Sequence, residues 1–159
     1  MNKIDHPIFT QSIDYIRSRI QCPGLDNLEK EVLERIIHST GDFSIQHGLQ
    51  FSPNSCSIGV SALKAGAPIL TDTFMAAAAV APMAQRTLGT AVHCVLDWHS
   101  SCDEVNNMTR TAIGLKRAWQ DFSSRSSEIK APIVLIGSAP QALEVLLDLV
   151  TQGLLTPSL

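Results

Sequence analysis

A chain of 159 residues is long enough to bury one hydrophobic core and suits a single domain over residues 1–159. With 45% hydrophobic and only 17% charged residues, its composition excludes a disordered chain. The formal net charge of −3 gives no electrostatic reason to expect nucleic acid or an anionic membrane surface as a partner, so a polyanionic ligand needs local positive groups.

In chain order, the opening Met1 to Pro7 lacks the apolar stretch of a signal peptide. Ile8, Ile13, Ile16 and Ile20 recur at helical spacing and predict a helix from Pro7 to Ile20, stopped by Cys22-Pro23-Gly24. Asp26 followed by Glu29 has the capping-box spacing and starts a second helix. Leu28, Val32, Leu33, Ile36 and Ile37 form its apolar stripe, His38 lies in its last turn, and Gly41 ends it. Ser52-Pro53 reads as an N-cap and first helical position of a third helix reaching Lys64.

Ala67 to Thr71 is a short apolar run ending in Asp72 and suits a buried strand. Met75 to Ala84 is alanine-rich and helical, with Ala76 to Ala79 fit for tight packing on a sheet. The whole apolar stretch Pro68 to Met83 contains Asp72 and is too short to span a bilayer. Thr90 to Leu96 reads as a second strand ending at Asp97. Met108, Ala112, Leu115, Trp119 and Phe122 repeat at three and four, predicting a helix from Asn106 to Ser123 and then a serine-rich loop to Ser127. Pro132 to Ile136 is a third strand broken by Gly137-Ser138, and Pro140 to Val150 is a last helix closed by Gly153. Cys22, Cys56, Cys94 and Cys102 stand in unrelated contexts with no CxxC pair, the usage of reduced thiols in a cytoplasmic protein.

Strands alternating with helices predict an α/β fold with a small, mostly parallel sheet and exposed edges. Ligands in such sheets collect beyond the carboxyl ends of the strands, which carry Asp72, Asp97 and Gly137-Ser138. Gly137-Ser138-Ala139-Pro140 is a strand-to-helix turn whose backbone N–H groups can hold an anion. Asp72 and Asp97 can pair as acid and base, although a capping role fits Asp97 better. His93, Cys94, His99 and Cys102 look at first like metal ligands. His93 and Cys94 are neighbours on a strand, however, and point to opposite faces, so no metal site is expected.

Four blocks carry a resemblance. They are Glu34 to Asp42 (ERIIHSTGD), Phe51-Ser52-Pro53 with Ala62 to Asp72 (ALKAGAPILTD), Thr109-Arg110 through Ala118-Trp119, and Ile133 to Leu143 (IVLIGSAPQAL). In this order and spacing the chain resembles the precorrin-8X methylmutase family, along nearly its whole length. The resemblance implies a three-layer α/β/α sandwich, usually dimeric. It implies an isomerase of cobalamin biosynthesis that moves a methyl group between adjacent ring carbons of a corrin precursor, without metal or organic cofactor. The family's active-site histidine falls on His38, its first-helix serine on Ser12 and its arginine on Arg110, and Asp72 lies in its most recognisable stretch. Where the family often has a tyrosine near that serine, this chain has Phe9, and its usual glycine after the Asp-x-x-Met segment is Ala79. The family continues beyond Thr156-Pro157-Ser158-Leu159 with further strands that help to enclose substrate, so a non-catalytic tetrapyrrole-binding or carrier protein is the alternative expectation. Histidine suits the chemistry because its ordinary pKa lies near neutrality. Arginine suits a ligand rich in carboxylates because its planar fork binds them bidentately.

Overall fold

The computed structural model describes residues 6–99, 108–125 and 130–153. Cys102, the Asn106 start of the expected helix, Ser126, Ser127 and the stretch from Thr156 to Leu159 lie outside the described residues. The fold is α/β, with six described helices and a three-stranded parallel sheet, and the chain divides into two compact units, Met1–Ser57 and Ile58–Leu159.

In the first unit, α1 (Pro7–Arg17) packs on α2 (Asn27–Thr40). Asp26 and Glu29 form the expected capping box, each side chain accepting from the other's backbone N–H at 2.9 Å. Gly41 closes α2 in the left-handed conformation at φ 71°, which glycine adopts without Cβ strain. Ile13, Ile16, Leu33 and Ile37 are the buried centre, with Phe9, Ile20, Leu25, Phe43, Ile45 and Leu49 around them. The α2 stripe differs from the sequence expectation. Leu33, Glu34 and Ile37 face inward, whereas Val32 is 39% exposed and Ile36 is half-buried. A glutamate can occupy the buried face because Arg17 meets its carboxylate with two parallel bonds of 2.8 and 2.9 Å. That hydrogen bond outweighs the opposing effect of burial and raises the Arg17 guanidinium above its ordinary pKa.

A 3₁₀ turn (Phe43–His47) follows, begun by Asp42, whose carboxylate accepts from Ser44 N–H at 2.8 Å. Helix α3 is Ser55–Lys64, so it starts after Ser52-Pro53 rather than at it. Asn54 intervenes at φ 60°, and its carbonyl accepts the Ser57 hydroxyl. Helical continuity from Pro53 is broken by this left-handed residue, a conformation Asn tolerates.

In the second unit the sheet order is β2-β1-β3, with β1 (Ile69–Thr71), β2 (Val92–Cys94) and β3 (Ile133–Leu135) all parallel. Each strand is three residues, shorter than the apolar runs that announce it. Beyond Cys94 the chain turns into a 3₁₀ segment (Val95–Trp98), because Asp97 Oδ2 accepts from Cys94 N–H. Asp97 is thus a cap, as its sequence context favours. Helix α4 (Phe74–Leu88) is capped by Thr73 and runs through Pro82 to a left-handed Gly89, four residues beyond the expected end. Helices α5 (Arg110–Ser124) and α6 (Pro140–Thr151) complete the unit. Its core is Leu70, Val95, Leu115, Ala118, Phe122, Ala139 and Ala142. Gly114 lets α5 lie directly on the 3₁₀ segment. A Cβ there would stand 2.2 Å from the Val95 carbonyl oxygen.

Candidate active site

Phe9 and Ser12 are three residues apart on α1, and Arg35 and His38 three apart on α2, so each pair shares one helix face. The buried contacts of Ile13 and Ile16 with Leu33 and Ile37 hold those faces together. The result is a 2.7 Å hydrogen bond between Ser12 Oγ and His38 Nδ1, across 26 residues of sequence. The Phe9 ring meets the imidazole edge-on, with centroids 4.8 Å apart and an interplanar angle of 78°. The Arg35 guanidinium lies 4.7 Å from the centroid of the same Phe9 ring. His38 itself is exposed, in the last turn of α2. With Nδ1 engaged by Ser12, outward chemistry falls to Nε2. To act as an acid the ring must carry both protons, Nδ1–H donating to Ser12 Oγ and Nε2–H facing outward; giving up the Nε2 proton then leaves a neutral imidazole still held by Ser12.

The other candidates lie in the second unit. Asp72 is 2% exposed, and its Oδ2 accepts from the N–H groups of Gly137 at 2.9 Å and Ser138 at 3.0 Å. Its own N–H donates to Leu135 O at 3.1 Å. This corrects the reading of the Gly137-Ser138 turn as an open anion cradle. The turn does bind a carboxylate through its N–H groups, and that carboxylate is the chain's own. The Asp72–Asp97 acid–base pairing is corrected for the same reason, since both carboxylates serve backbone N–H groups. Arg110 is the exposed first residue of α5, behind the Thr109 N-cap. Thr109 N–H donates to Gln141 Oε1 at 2.8 Å, which ties the start of α5 to the start of α6. Arg110 therefore stands at the carboxyl end of the parallel strands, the end where α/β sheets receive ligands.

The structure thus joins Ser12 to His38, and Asp72 to Gly137 and Ser138, with Arg110 at the same sheet end as the turn. Arg35 and Phe9 were given no part in the site by sequence reasoning, Phe9 being noted only where the family often has a tyrosine, and Gln141 was passed over. The spacing of three to His38 and to Ser12 was the signal available for the first two. His93 rests against Trp98 and Phe122, centroids 6.0 and 5.9 Å away, while Cys94 is buried and its thiol pushed up by that burial. Among the described residues no three His, Cys, Asp or Glu side chains converge as metal ligands, and no helix is long and apolar enough to cross a membrane.

Comparison with known proteins gives the chain its relatives. The family model for precorrin-8X methylmutase (CbiC) matches residues 7–159. The precorrin-8X methylmutase of Pseudomonas aeruginosa is 32% identical over 96% of this chain and 70% of its own length. The cobalt-precorrin-8 methylmutase of Synechocystis sp. is 27% identical over 100% of this chain and 76% of its own. Among solved structures, the precorrin-8X methylmutase of Thermus thermophilus superposes with a TM-score of 0.80 at 29% identity, over 95% of this chain and 70% of that one. A family match over nearly every residue, a shared fold and a serine-held histidine at a helix end lead to one conclusion: the chain belongs to the precorrin-8X methylmutase family.

Proposed function

We propose that the chain is an isomerase of corrin biosynthesis, moving a methyl group between adjacent ring carbons of precorrin-8X or its cobalt form, with His38 as the residue that carries the chemistry. The observation behind this is the 2.7 Å Ser12–His38 hydrogen bond on an exposed helix end. A methyl shift within one molecule breaks one carbon–carbon bond and forms another, with no net oxidation or reduction. What it needs from a protein is a way to make the ring system electron-poor. A proton given or shared by His38 Nε2 to the macrocycle does that, and Ser12 keeps the imidazole aimed. Arg110, exposed at the start of α5, serves as a carboxylate-binding residue for the polyacidic substrate. Asp72, Gly137 and Ser138 keep the neighbouring turn rigid through their mutual hydrogen bonds.

The protein works as a homodimer in the cytoplasm in this reading. Support for association comes from the edges that the three-stranded sheet leaves open among the described residues and from exposed Leu143, Leu147 and Val150 on one side of α6.

The test is an absorbance assay of the purified chain with the corrin precursor, beside His38→Ala. Turnover should fall by roughly 10²–10⁴-fold in the variant, the usual worth of general acid help. Product affinity should change by only about tenfold or less, since a single net hydrogen bond contributes about 0.5–1.5 kcal/mol. Wild-type turnover by His38→Ala would remove the histidine from the mechanism.

A further inference from the structure

Around α2, successive side chains turn by about 100°, so His38, Arg35 and the outward flank of Val32, Ile36 and Ser39 follow one another around the helix. Arg35 lies one turn before His38, about 4.5 Å along the axis, less than the width of a tetrapyrrole ring. Both are exposed and both contact the Phe9 ring, the guanidinium 4.7 Å from its centroid and the imidazole centroid 4.8 Å from it. On the far side of Arg35, Val32, Ile36, Ser39 and Thr40 line a shallow cavity of about 420 Å³. The face therefore presents, in order, a proton-bearing ring, a held cation and an apolar depression. That sequence matches a disc with methylated faces and a carboxylate rim.

We propose that Arg35 binds a peripheral carboxylate of the tetrapyrrole whose ring reaches His38, a role that rests on the function proposed above. The Phe9 contact restrains the guanidinium before the ligand arrives, which reduces the ordering cost of binding. A guanidinium carries five N–H donors and a bidentate carboxylate takes two, so one carboxylate does not exhaust its donors. Arg35 thus gives the His38 site a local positive group in a chain of net charge −3.

The experiment compares two corrinoid probes by absorbance titration at several salt concentrations. Cobyrinic acid carries free carboxylates, and cobinamide carries amides in their place. Arg35→Gln should weaken cobyrinic acid by roughly tenfold or more, the worth of a charged hydrogen-bond pair, and flatten its salt dependence. Cobinamide binding should stay as in the wild type. Arg35→Lys, which keeps the charge without the two-pronged geometry, should recover part of the loss. Unchanged affinity of Arg35→Gln for cobyrinic acid overturns the assignment. So does an equal loss with cobinamide, which would make Arg35 a structural support of α1. A wild-type chain that binds neither probe fails earlier and takes the proposed function down with it, a result distinct from either Arg35 outcome.

Discussion

The finest decisions in this protein are made by single polar atoms. Asp72 Oδ2 receives two backbone N–H groups from a turn 65 and 66 residues away, and both bonds are part-buried. Asp72→Ala should leave those donors unpartnered and cost about 1–3 kcal/mol, whereas Asp72→Asn, which can still present one oxygen to both, should cost about 1 kcal/mol or less. Urea unfolding followed by the fluorescence of buried Trp119 reads both values. Equal losses in the two variants would mean that the acceptor is not what matters. Asp42 shows a milder form of the same device. The hydroxyl and backbone N–H of Ser44 hold its carboxyl below the usual carboxylate range.

Between elements, contact distance governs. Helix α5 rests on the 3₁₀ segment through Gly114 and is fastened there by Arg117 Nη1 donating to Trp98 O at 3.2 Å. Alanine is the better helix former by about 1 kcal/mol, so propensity alone predicts that Gly114→Ala stabilises. The backbone carbonyl 2.2 Å from the new methyl cannot swing aside as a flexible side chain would. Overpacking of this kind costs about 1–3 kcal/mol and should win, lowering the urea midpoint. Gln120→Ala on the exposed side of the same helix should stay within about 0.5 kcal/mol of wild type. A stabilised Gly114→Ala would show that α5 can lift from Val95 without loss. The Arg17–Glu34 pair fastens α1 to α2 by other means, a carboxylate carried into the packed face by a cation that stays half in solvent.

For the whole molecule, the sheet is the open question that composition leaves behind. Among the described residues, three short parallel strands leave β2 and β3 as edges, and Leu135 on β3 is 38% exposed. Leu143, Leu147 and Val150 repeat at helical spacing on exposed positions of α6. Parallel sheets are seldom left uncovered, and apolar helix faces mark contact surfaces. Sedimentation equilibrium should give twice the chain mass of 17.2 kDa, and charged replacements at Leu143 and Leu147 should shift it toward one chain. A single-chain mass for the wild type at micromolar concentration would refute the homodimer.

What the sequence determined by itself is what acts over a few residues or over the order of blocks. The Asp26–Glu29 box, the Gly41 stop and the alternation of helix and strand are written within one or two turns of chain. The family was legible because four blocks stand in register, and the placement of Ser12 and His38 on two neighbouring helices followed from apolar periodicity. Their hydrogen bond did not, because it depends on how α1 and α2 pack. Tertiary structure alone decided that Glu34 would be buried, because only its partner Arg17, 17 residues away, makes burial affordable. It alone shortened the strands, moved the start of α3 past Asn54, and filled the Gly137-Ser138 turn with Asp72. It alone drew Arg35 and Phe9 to His38. Where the deciding partner is distant in sequence, as Arg17 is from Glu34 and Asp72 from Gly137-Ser138, no local pattern records the cost of leaving a polar group unpaired.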